Sequence, residues 1–86
     1  MPSRRDLINQ RKKDLVAKGY TPGIVDKAMQ WADGCAQGMA NYALDPGYNK
    51  TKREQLVIQL LPTYLKDCEN WIRNLGHEPG ETSHKT

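Results

Sequence analysis

Eighty-six residues make at most one domain, and no apolar run approaches the roughly 18–20 residues of a membrane-spanning helix. The chain is only 37% apolar and has no Phe, so its core must come from Leu, Ile, Val, Met, Ala and the six Trp and Tyr. A net charge of +3 falls short of a dedicated nucleic-acid binder, and two cysteines exclude a disulfide scaffold. Met1–Leu15 lacks the apolar stretch of a signal peptide, so the expected setting is cytoplasmic and reducing.

The first predicted helix runs from about Arg4 to Lys18. Ser3 is its N-cap, with Asp6 three residues on to complete a capping box. Gly19 is the stop. Its apolar set is thin: Leu7, Ile8, Leu15 and Val16, with Arg11 and Lys12 in the middle of that face. Such side chains lay their stems on apolar surface and send their charges to water.

The second helix begins at "YTPG". Thr21 is the expected cap and Pro22 stands where a missing N–H costs nothing. It runs to about Leu44, where Asp45–Gly47 ends it. At 100° per residue, Val25, Ala28, Met29, Ala32, Ala36, Met39 and Ala43 share one face, beside a stripe of Ile24, Trp31, Cys35, Gly38 and Tyr42. An apolar arc that wide predicts a central helix touching two neighbours. Gly34 and Gly38 each cost roughly 1 kcal/mol against Ala inside a helix, and a close helix approach would offset that cost. The predicted packing face is therefore Trp31, Gly34, Gly38 and Tyr42.

The third helix runs from about Lys52 to Leu75, with Thr51 and Glu54 as a capping box. Val57, Leu61, Tyr64, Cys68, Trp71 and Leu75 give the strongest helical period in the chain. Pro62 lies off that stripe, which predicts one kinked helix rather than two. Gly76 closes it. His77–Thr86 has no apolar residue and reads as a flexible tail. The expected architecture is all-α: an antiparallel three-helix bundle over 1–76 and a disordered tail over 77–86, with one end of the two long helices left uncovered by the short first one.

No reaction chemistry stands out. Cys35 and Cys68 lie on apolar faces with no histidine near in sequence, so both read as core residues. Their spacing to His77 and His84 matches no zinc site. The carboxylates are scattered, and there is no phosphate-binding loop or nucleophile motif. Neither an enzyme, a cofactor, a metal nor a small-molecule substrate is expected.

The basic residues are more informative. In an up-down-up bundle, helices one and three start at the same end, bringing together Arg4 and Arg5 with Lys50, Lys52 and Arg53. Cations at helix N-termini oppose the macrodipole by about 0.3–1 kcal/mol each; the two readings of their presence are solvated, screened surface charge and an expected anionic partner. Residues 1–18 carry six basic and two acidic residues, while 54–86 carry three basic and five acidic. The expected function is a non-enzymatic interaction or assembly module that self-associates or binds a protein partner. Such a module would suit an accessory subunit of a larger, phage or mobile-element complex. The alternative is a nucleic-acid-associated protein using the basic end.

Overall fold

Ser3 opens the first helix as its sequence predicts. In the computed structural model, which describes residues 3–44, 47 and 49–81, the Ser3 hydroxyl accepts from the Asp6 N–H at 3.2 Å. The Asp6 carboxylate accepts the Ser3 N–H in return at 3.1 Å. This capping box starts α1, Arg4–Ala17. Gly19, at φ +97°, turns the chain out of the helix, and its N–H bonds the Val16 carbonyl at 2.9 Å.

The second helix, α2, spans Pro22–Ala43. Pro22 sits at its first turn as expected, but the Thr21 side chain makes no capping hydrogen bond. Asp45 and Pro46 of the predicted stop lie outside the described residues. The third helix, α3, spans Lys50–Asn74, two residues earlier than its predicted start. Asn49 is the cap: its Oδ1 accepts the Lys52 N–H at 2.8 Å. Thr51 is thereby drawn inside the helix, and the predicted Thr51–Glu54 box does not form. An asparagine is as good an N-cap as a threonine, and taking it adds two residues to the helix. α3 continues through Pro62 as one helix, with the proline ring exposed.

The described residues form a small all-α three-helix bundle. α2 and α3 make the main contact, and α1 rests about equally on both. No single helix is central; each touches the other two. Contacts of Lys12 with Asp26 and of Arg4 with Asp33 run α1 against α2. Contacts of Arg4 with Glu54 and of Lys18 with Glu69 run it alongside α3. Helices one and three therefore start at the same end, as expected.

The core explains why α2 is poor in large side chains. Ala28, Ala32, Ala36 and Ala40 are fully buried at spacings of four. They form a ridge of minimal thickness against Val57, Leu61, Cys68 and Ile72 of α3, also fully buried. Small residues on one ridge let large ones on the facing helix fill the groove. The approach is close enough for the Cys68 Sγ to lie 3.4 Å from the Ala28 carbonyl. α1 contributes one fully buried side chain, Leu15, while Leu7 and Ile8 pack half-buried against the core.

The first part of the predicted tail packs against the bundle. The Gly80 N–H donates to the Lys18 carbonyl at 2.7 Å, across the α1–α2 turn. Residues 82–86 lie outside the described residues.

Candidate interaction surfaces

The starts of α1 and α3 bring the five predicted cations to one end of the molecule, but not as a uniform basic patch. Arg4 is engaged internally. Its Nη1 lies 3.4 Å from Asp33 Oδ1 and its Nε 3.7 Å from Glu54 Oε1. Asp33 Oδ1 is buried without a hydrogen bond among the described residues, so the Arg4 guanidinium offsets its charge. Arg53 is engaged as well. Its Nε donates to Asn41 Oδ1 at 2.7 Å and its Nη2 to Gln37 Oε1 at 3.2 Å. Gln37 Nε2 in turn donates to Asp33 Oδ2 at 2.6 Å. Asn41, Arg53, Gln37, Asp33, Arg4 and Glu54 thus form one polar chain that ties the three helices together.

The earlier start of α3 shifts the register of its cations. Lys50 takes the first helical position and Lys52 the third, while Arg53 stands one turn in. Lys50, Lys52 and Arg5 are exposed. These three keep the unfavourable placement against the helix dipoles. Replacing Arg5, the second residue of α1, by glutamate should raise the stability of the isolated protein by about 0.3–1 kcal/mol at low salt. Thermal melts at low and high ionic strength check this: the gain should shrink as salt screens it.

The uneven charge along the sequence has a structural use that the sequence did not reveal. Four cations of α1 and its C-terminal cap are seated on groups of the other helices. Arg4 meets Asp33 and Glu54, and Lys12 meets Asp26 at 2.7 Å. The Arg11 Nε donates to the Leu65 carbonyl at 2.9 Å, and Lys18 meets Glu69 at 2.8 Å. Arg11 and Lys12 therefore carry their charges to protein partners at the edge of the bundle, with the Lys12 ammonium still open to water. Surface pairs are each worth about 0–1 kcal/mol at most, but spaced along α1 they fix its register where apolar burial is sparse.

At the end of that row, Glu69 binds two side chains at once. Its Oε2 accepts the Tyr20 hydroxyl at 2.8 Å and its Oε1 the Lys18 ammonium at 2.8 Å. Those two hydrogen bonds, that from Lys18 first, hold the Glu69 carboxyl below its ordinary range. Tyr20 is fully buried; burial, reinforced by Glu69, pushes its hydroxyl up to about 12.

The predicted packing face is only partly used within the chain. Trp31 packs half-buried, stacked on Trp71 with ring centroids 5.8 Å apart and edge-on to Tyr64 at 6.2 Å. Gly34 and Gly38 are exposed, and a Cβ built on either meets nothing within 4 Å. Tyr42 is 89% exposed. The close approach predicted at the glycines occurs instead at the alanine ridge, because the α2–α3 contact runs along Ala28, Ala32, Ala36 and Ala40. The glycines lie on the far side of α2 from that ridge, facing solvent.

Cys68 is fully buried, and burial pushes its thiol up to about 11. Cys35 is half-buried. Thiol labelling of the native protein should therefore be slow at both and slowest at Cys68, with labelling at Cys68 limited by opening of the bundle. Fast labelling of Cys68 would contradict its place in the core. Among the described residues, no group of three or more His, Cys, Asp or Glu is placed to hold a metal ion. No described helix is long and apolar enough to cross a membrane. No family model, curated protein or solved structure matches this chain.

Proposed function

We propose that this chain is a non-enzymatic helical assembly module, in which the second half of α2 meets another protein chain, a second copy of itself first of all. The observation that carries this reading is the exposure of large apolar side chains there: Met39 is 45% and Tyr42 89% exposed. They stand beyond Asp33, the α2 residue that the start of α1 reaches. The cost of roughly 1 kcal/mol for each of Gly34 and Gly38 is not offset by a close approach among the described residues, where a Cβ on either meets nothing within 4 Å. A second chain lying across this flank would recover it by close backbone approach. It would also cover Tyr42, an aromatic of the kind enriched at interfaces.

The second reading is a nucleic-acid-associated protein. Arg5, Lys50 and Lys52 favour it, as exposed cations at one end of the bundle, placed against two helix dipoles that an approaching phosphate would satisfy. Size-exclusion chromatography with light scattering, with and without a DNA duplex, separates the two. A mass above the monomer without DNA, lost in Tyr42→Glu, supports the assembly reading. A monomer that shifts only with DNA, and less as salt rises, supports the second. A monomer indifferent to DNA removes self-association and DNA binding together.

A further inference from the structure

The sequence "HEPGE", His77–Glu81, carries none of the side chains that hold the rest of the molecule together. It is nevertheless docked. The Gly80 N–H donates to the Lys18 carbonyl at 2.7 Å. The Glu81 Oε1 accepts the Thr21 N–H at 2.9 Å. His77 Nδ1 lies 2.9 Å from Glu81 Oε2 and 3.1 Å from Oε1, fixing the carboxylate from within the segment. Gly76 and Gly80, at φ +96° and +79°, make the two bends that bring the segment down onto the turn. Beneath it, Gly19 is buried, and a Cβ there would stand 2.4 Å from the Gly80 Cα. The seat is shaped to let two backbones touch.

The partner of Glu81 gives the docking its meaning. Thr21 caps α2 without a side-chain hydrogen bond, and the first turn of α2 has no acidic residue. The carboxylate expected near a helix start is delivered from sixty positions away. The contacts of the segment are few, polar and near the surface, whereas the bundle is held by apolar burial. Elements held in these two ways open with different free energies.

We propose that residues 77–81 form a releasable strap, latched by Glu81 onto the start of α2, which lifts in acid while the three-helix bundle stays folded and so uncovers Gly19 and the first turn of α2. The charged and titratable groups around the latch are His77 and Glu78 on the strap, Lys18 and Tyr20 on the turn, and Glu69 and Arg73 on α3. The Thr21 backbone hydrogen bond, followed by the bonds from His77 and the Thr21 side chain, holds the Glu81 carboxyl down at about 2. A depressed carboxyl contributes its stabilisation above the ordinary glutamate range and loses it as pH falls through the depressed value. The strap is thus closed at neutral pH and opens toward pH 2.

Amide hydrogen exchange and chemical-shift titration by NMR on the full chain test this. Thr21 and Gly80 amides should titrate together, with a midpoint well below 4.5, while amides of Val57 and Cys68 stay protected. Glu81→Ala at neutral pH should speed exchange at Thr21 and Gly80 by about tenfold or more, the scale of one lost charge-assisted hydrogen bond, and leave Val57 and Cys68 unchanged. Glu81→Gln, which mimics the protonated acid, should do the same to a smaller degree. Unchanged protection at Thr21 and Gly80 in Glu81→Ala overturns the latch. Loss of protection at Val57 and Cys68 together with the strap amides overturns independent release.

Discussion

Ala36→Leu should destabilise the protein by about 1–3 kcal/mol, while Gly38→Ala, two residues on in the same helix, should stabilise the monomer by about 1 kcal/mol. Ala36 is fully buried in the ridge that meets α3, so a leucine there must push the helices apart or leave its rotamer. Gly38 faces open space, so the added methyl removes only the conformational freedom of the unfolded chain. A margin of a few kcal/mol is all that a chain of this size holds, and Ala36→Leu removes a large part of it. Chemical denaturation of both variants at low protein concentration gives the two signs. A stabilised Ala36→Leu would mean that the alanine ridge is not the α2–α3 contact. The same two variants inform the assembly reading. If another chain packs across Gly38, Gly38→Ala should stabilise the monomer and weaken the oligomer, a reversal that exposure alone does not produce.

The helices and their number were legible because the signals that define them are local. The Ser3–Asp6 box, Pro22 at the start of α2, the glycines after α1 and α3, and the apolar period of Val57 to Leu75 each act within a few residues. What the sequence hid was choice among equals. Asn49 and Thr51 are both good caps, and only the structure shows which one is used. Alanine and glycine on different sides of α2 both read as room for a close approach. The packing direction, set by α3, selects the alanines. The charge pattern hid more. Asp26, Asp33, Glu54 and Glu69 look scattered along the chain, yet each lies opposite a cation of α1 or its cap, because an antiparallel pair and a parallel pair map one helix onto two different sets of positions. From position alone, Arg4 and Arg53 await an anion. Arg4 already has its carboxylates, and Arg53 two side-chain carbonyls. The docked segment His77–Glu81 escaped because no apolar residue announces it; its anchors are two backbone N–H groups, which sequence composition does not register.

Glu69→Ala should cost about 1–3 kcal/mol, chiefly through the hydroxyl it abandons. The Tyr20 ring is fully buried at the junction of all three helices, and Glu69 is the side chain that accepts from its hydroxyl. Removing the carboxylate takes away the acceptor of that part-buried hydroxyl, and it releases Lys18 from α3 at the same stroke. Tyr20→Phe should be milder, about 0.5–1.5 kcal/mol, because it deletes the donor while the partly exposed Glu69 keeps Lys18. Combining the two should cost less than the sum, since the double variant has no orphaned hydroxyl; a double-mutant cycle isolates that coupling. The penalty must also depend on pH in a definite direction. Lys18 and Tyr20 hold the Glu69 carboxyl below its ordinary range, so its contribution is complete above that range and fades as pH falls through the depressed value. The stability gap between the native protein and Glu69→Ala should therefore be widest near neutral pH and narrow in acid. Strict additivity in the cycle, or a gap that widens on acidification, would show that α1 is not clasped to α3 through this carboxylate.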